Sequence, residues 1–165
     1  MTKALFFKAP WCQALTYITA GTGVLLVAAV IVLLVVAQLN PNPFFYFTAA
    51  LLIVVIVLSA AFMVRGYEIA GDRLVIQRLG WQTEIALNDL TSATYDPEAM
   101  DKSLRLFGNG GFFAFVGKFR NKKLGNYDAY ATAPRLSVVL EIGDKKTVVI
   151  TPEKPEQFVE NLPVT

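Results

Sequence analysis

LTYITAGTGVLLVAAVIVLLVVAQL (15–39), NPNP (40–43) and FFYFTAALLIVVIVLSAAFMV (44–64) follow one another without one charged side chain. The two apolar runs read as helices. At 1.5 Å per residue the second is about 31 Å long, which matches a hydrocarbon core of roughly 30 Å. The first is longer and is expected to tilt or to extend into the interface. Two prolines and two asparagines in four residues break a helix and turn the chain. The expectation is a transmembrane helical hairpin with spans at about 15–39 and 44–64. A helix that is apolar all round belongs in lipid. A cleaved signal peptide has a shorter apolar core, and here a second span follows at once.

Charge extends this reading outward. No charged residue lies between Lys8 and Arg65, and all thirteen acidic residues come after that gap. The chain therefore divides into a hairpin, 1–65, and a second domain, 66–165. From Arg65 onward thirteen Lys/Arg face thirteen Asp/Glu, so no bulk basic field for nucleic acid exists and none is expected as a partner. Lys3 and Lys8 precede the first span. Arg65, Arg73 and Arg78 follow the second, and the turn between has no charge. Basic residues at span ends stay cytoplasmic, so both termini and the second domain are expected at the cytoplasmic face of the membrane. Trp11, Tyr17, Phe44, Phe45, Tyr46, Phe47 and Tyr67 read as interfacial aromatics.

Several functions are disfavoured by residue type. The chain has no histidine and a single cysteine, Cys12, so a His/Cys zinc site is not expected, nor is a disulfide within the chain. Cys12 precedes the apolar run rather than following it, which does not fit a lipoprotein signal, and it is read as inert. No charge lies inside either span, which argues against an ion path or proton relay. Asp96, Glu98 and Asp101 around Pro97 lack the glycine and acidic spacing of an EF-hand and read as a solvated loop. No nucleophile has a base beside it, so neither a catalytic residue nor a cofactor is expected.

After Arg65 the period becomes two. Tyr67-Glu68-Ile69, Leu74-Val75-Ile76 and the alternation of Trp81, Thr83, Ile85 and Leu87 predict antiparallel strands joined at Gly71-Asp72 and Leu79-Gly80. Leu136, Val138, Leu140 and Ile142 repeat the pattern, and Gly143 to Lys146 turns the chain into Thr147–Ile150. The segment from Thr151 to Leu162 predicts a short helix with Phe158, Val159 and Leu162 on one side, plugging an open barrel end. The fold class is a two-helix transmembrane hairpin plus a mainly-β barrel or sandwich with a C-terminal helix.

Particular stretches resemble a known family. They are Gly71–Ile76, Ser103–Gly111, Gly117–Asn121, Leu124–Tyr127 and the strand–Thr151-Pro152–helix ending. In these the chain resembles the bacterial PH-domain (pleckstrin-homology-like) membrane proteins. The resemblance implies a PH-like fold and little biochemistry. Phosphoinositide-binding PH domains use a basic loop between their first two strands. Here that turn is Ala70-Gly71-Asp72, so the inositol phosphate site does not carry over.

Three groups remain as candidates. Arg105 with Lys118, Arg120, Lys122 and Lys123 forms the one clear cationic run, suited to an anionic lipid or an acidic segment of a protein partner. Gly108, Asn109, Gly110 and Gly111 form a glycine-rich loop, read as a bulged turn or an anion nest. Thr19, Gly21 and Gly23 offer a small-residue face for helix packing, within the hairpin or with another subunit. The functional expectation is a non-enzymatic, membrane-tethered binding module for a protein partner or anionic lipid headgroups. The alternative is an accessory subunit that associates through its helices.

Overall fold

The Asn-Pro-Asn-Pro segment ends one helix and caps the next. Helix α1 (Gln13–Leu39) stops where Asn40, preceding Pro41, takes an extended conformation. Helix α2 (Pro43–Ala61) starts with proline in its first turn, and the Asn42 side chain accepts a hydrogen bond from the Phe44 N–H at 3.0 Å. These observations come from a computed structural model that describes residues 4–143 and 146–163. At the other end of α1, Cys12 is the N-cap: its Sγ accepts from the Leu15 N–H. It thus has a structural task that its position alone did not reveal.

Both helices are long and apolar enough to cross a membrane, and their side chains are mostly exposed, which points to membrane association. They pack antiparallel through buried Ala37 and Ala49, and Gln38 donates to the Tyr46 hydroxyl at 3.4 Å. Small residues at the contact let the backbones approach. Helix α1 has 27 residues and α2 has 19. The difference leaves about 12 Å of α1 projecting past the end of α2. That overhang carries Leu15 and Thr19, both buried, and Thr19 is hydrogen-bonded to Gly111 and Phe113 of the β-domain.

The β-domain is two sheets. Strands β1 (Leu5–Lys8), β2 (Val64–Ala70), β3 (Arg73–Arg78) and β4 (Gln82–Ala86) form an antiparallel sheet in sequence order. The second sheet comprises β5 (Leu90–Tyr95), β6 (Leu104–Gly110), β7 (Phe115–Asn121), β8 (Gly125–Ala131), β9 (Val138–Ile142) and β10 (Lys146–Ile150). Its order is β5-β9-β10-β8-β7-β6. All its pairings are antiparallel except β8 with β10. The sheets pack as a sandwich and do not close into a barrel.

The main core lies between the sheets and includes Tyr67, Leu74, Ile76, Ile85, Leu140, Ile150 and Phe158. A second cluster, with Ala99, Phe119, Tyr127, Val139 and Val149, lies on the outer face of the larger sheet. That face is covered because the segment after β5 folds back over it with Ala99 and Met100. This explains why Val138, Val139 and Leu140 are all buried although the expected pattern was alternating. Helix α3 (Pro155–Glu160) brings Phe158 into the main core, edge-on to Phe7 at 5.0 Å and to Tyr67 at 6.4 Å.

Two sequence expectations are corrected here. Tyr67 is not an interfacial aromatic but is wholly buried. Its hydroxyl donates to the Tyr130 carbonyl at 2.5 Å and accepts from the Thr151 N–H at 3.1 Å. Burial pushes the phenol up from 10.0 to about 12. Residues 5–8, assigned to the hairpin segment, belong to the β-domain. Strand β1 pairs with β2 and places Phe7 in the core.

Candidate functional site

The hairpin β6–β7 is an extension of the larger sheet, and its outer strand, β6, is a free edge among the described residues. Two glycines make it possible. Gly108 and Gly117 lie directly opposite each other, with φ of +106° and +135°. A Cβ on either would stand 2.2 Å from a backbone oxygen of the other strand, Val116 O or Phe107 O. Only glycine permits that approach.

Of the predicted glycine-rich loop, Gly108, Asn109 and Gly110 are the last residues of β6, and Gly111 opens the tip of this hairpin. The Asn109 carboxamide folds over it, accepting from the N–H groups of Gly111 and Phe112 and donating to the Phe112 carbonyl. Gly111 N–H also reaches Ala114 O at 3.1 Å. The tip then docks on the overhang of α1. The Phe113 N–H donates to Thr19 Oγ1 at 3.0 Å, and that hydroxyl donates to Gly111 O at 3.3 Å. Trp11 meets the Phe113 ring edge-on at 6.2 Å. The loop N–H groups are thus occupied within the protein, and the anion-nest reading has no free donors at Gly111, Phe112 or Phe113. Thr19 packs against the hairpin tip and not against a second helix. A Cβ at Gly21 or Gly23 would meet nothing within 4 Å, so these two glycines do not make the α1–α2 contact.

The cationic run does not form one patch. Directly opposed residues share a face of the sheet. Arg105 pairs with Phe119, so it lies on the second-cluster face, with its guanidinium alongside Gly110. Lys118 and Arg120 point to the other face. Lys122 and Lys123 occupy the β7–β8 turn. Lys118 is bound to Asp128 at 3.0 Å and Lys123 to Asp96 at 2.5 Å. Burial raises the Asp96 carboxyl, but the Lys123 ammonium and the Glu98 N–H outweigh it and hold it below its usual value. Arg105, Arg120 and Lys122 have no acidic partner within 4.0 Å among the described residues. Along β6 they accompany a bare apolar strip: Leu104, Leu106 and Phe107 are 71%, 56% and 77% exposed.

Sequence reasoning missed Arg78 as a structural centre. It is buried, donates from Nη1 to the Phe62 carbonyl at the end of α2, and from Nε to Thr83 Oγ1. Its guanidinium lies 5.5 Å from the Phe62 ring, 5.9 Å from Trp81 and 5.3 Å from Tyr130. Burial lowers its pKa below the ordinary guanidinium value. A cation at a helix C-terminus, enclosed by aromatic faces, locks α2 to the sheet. The entry to α1 is locked as well. Cys12 N–H donates to Thr132 O, Thr132 Oγ1 to Pro10 O, and Glu153 N–H to Lys8 O. The signal for Arg78 was present in the sequence as Trp81 three residues on, across the Leu79-Gly80 turn.

The arrangement is a two-sheet β-domain with a C-terminal helix, fixed to an apolar helical hairpin. Residues 65–165 match the family model described as Bacterial PH domain. The chain belongs to the bacterial PH-domain family. No curated protein and no solved structure matches it. PH domains are in general non-enzymatic binding modules. In this bacterial PH domain the turn between β2 and β3 carries Gly71 at φ +62° and a single cation, Arg73, which is held by Glu84 at 3.0 Å. That turn has no uncommitted cation for an inositol phosphate. Among the described residues no group of His, Cys, Asp and Glu is arranged for a metal, and the acidic loop is used by Asp96 to pair Lys123.

Proposed function

We propose that this bacterial PH domain is a non-enzymatic binding module built into a bacterial inner membrane. Its working surface is the free edge of β6 at the cytoplasmic face. The observation that carries this reading is the β6 strand itself: an unpaired edge with Leu104, Leu106 and Phe107 bare and uncommitted cations on the same hairpin. Such an edge pairs readily with an extended segment of another chain. Apolar side chains with acids between them would match it. The pairing of β1 with β2 supports placing both ends of the helical hairpin on one side of the bilayer. Exposed Lys8, Arg65 and Arg73 favour the cytoplasmic side.

The test is affinity purification of the intact protein in mild detergent with mass spectrometry, wild type against Leu106→Asp/Phe107→Asp. Partners that vanish from the variant while its melting temperature holds support the edge. Partners retained in full count against it. A second reading, an accessory subunit that associates through its helices, is favoured by the open space at Gly21 and Gly23. There Gly21→Leu/Gly23→Leu would remove the partners and Leu106→Asp/Phe107→Asp would not.

A further inference from the structure

A groove of about 480 Å³ runs between the last turn of α2 and the β6–β7 hairpin, within the size range of ligand sites. Leu58 and Phe62 form one wall, and Phe107, Phe112 and Val116 the other. Its floor is the place where Gly108 and Gly117 meet, which has no side chains to fill it. Arg105, whose side chain leaves β6 on the opposite face and lies alongside Gly110, also lines this groove at the strand edge; it is the one charged residue in the lining among the described residues and has no acidic partner there. Helix α2 ends at Ala61, so with the hairpin in a bilayer the groove opens where acyl chains give way to headgroups. What faces it there is lipid. An apolar slot at that depth, with one uncommitted cation, matches an acyl chain leading to a negatively charged phosphate.

We infer that the groove holds one anionic glycerophospholipid, its acyl chain against Leu58, Phe62, Phe107 and Val116 and its phosphate on Arg105. This site lies away from the β2–β3 turn. It rests on the same placement of α1 and α2 in a membrane, and not on a protein partner at the β6 edge.

The experiment is native mass spectrometry of the full-length protein titrated with dioleoylphosphatidylglycerol or dioleoylphosphatidylcholine. The wild type is expected to retain one phosphatidylglycerol in preference to phosphatidylcholine. Arg105→Gln is expected to reduce that preference about fivefold, the worth of one basic residue at an anionic surface, and Arg105→Lys to restore most of it. Ser59→Trp, which fills the groove, is expected to remove the bound lipid while hydrogen exchange in β9 and β10 stays as in the wild type. Lys122→Gln, outside the groove, is expected to change nothing. Equal retention of the two lipids overturns the site, as does a preference lost in Lys122→Gln but kept in Arg105→Gln. Displacement of the lipid by inorganic phosphate alone also overturns it, because that identifies an anion site without a chain slot. A wild type that retains neither lipid while its protein partners are unchanged refutes this site and leaves the β6 edge standing. Release of the wild type from membranes by alkaline carbonate would remove the placement on which both depend.

Discussion

Replacing Thr19 by valine tests whether the hairpin tip is held by the helix. The substitution keeps the shape and removes one hydroxyl that makes two hydrogen bonds, to Gly111 O and from Phe113 N–H. A typical bond contributes about 1 kcal/mol net, and an orphaned, partly buried N–H costs about 1–3 kcal/mol. An under-satisfied carbonyl is tolerated more readily than an orphaned N–H, so the Phe113 N–H dominates. The expected loss is about 2 kcal/mol, confined to the tip. At 1.4 kcal/mol per factor of ten, local opening becomes roughly 30-fold more frequent. Amide hydrogen exchange of the full-length protein in nanodiscs reads this directly. Exchange at residues 109–114 should accelerate by that factor while β9 and β10 remain as protected as before. Thr19→Ser should stay close to wild type. Unchanged exchange at the tip in Thr19→Val would refute the docking. Acceleration spread evenly over the domain would show that Thr19 supports global stability instead.

Other outcomes follow from the same contacts. Tyr67 is protonated more tightly in the folded state, so its contribution is complete below pH 10.0 and is lost as pH rises toward about 12. Two units correspond to about 2–3 kcal/mol. Denaturant melts of Tyr67→Phe should start lower at pH 8 and then lose less stability than wild type between pH 10 and 12. Gly117→Ala places a methyl group against Phe107 O and should cost more than about 3 kcal/mol, whereas Gly21→Ala enters open space and should be nearly neutral. Thermal melts of the two variants side by side check the contrast. Arg78→Met removes the bond to the Phe62 carbonyl and the aromatic contacts, at about 2–4 kcal/mol, and proteolysis at the α2–β2 junction should rise. A fragment starting at residue 66 lacks β1, Phe7 and Ala9, leaving the β2 edge and the Phe158 ring uncovered. It should give no cooperative melt by circular dichroism.

The parts of this fold that are legible in the sequence are those with a local signal. An uncharged run interrupted by Asn40-Pro41-Asn42-Pro43 identifies α1 and α2 within three residues at each end. Alternation together with turn residues identifies β2, β3, β4, β9 and β10. Strand β1 escapes because Leu5-Phe6-Phe7-Lys8 is too short for a period, and its partner lies beyond both helices. The parallel pairing of β8 with β10 has no local signature at all. The cationic run is contiguous on paper, but strand register sends Arg105 to the opposite face from Lys118 and Arg120. Ion pairs to Asp128 and Asp96 then take two of its members. The docking of Gly111 on Thr19 spans 92 residues and joins two features that had been read separately.

Strand β1 has a consequence for how the protein is made. It leaves the ribosome before either helix, yet its hydrogen-bonding partner β2 follows only after both helices have been synthesised. In a bilayer the strands can meet only if the chain has crossed and returned. A nascent chain with one helix inserted would strand them on opposite sides, with Phe7 missing from the core and Phe158 without its neighbour. Closure of the first sheet thus acts as an assembly checkpoint: the β-domain reaches its full stability only in molecules whose helices have been threaded correctly.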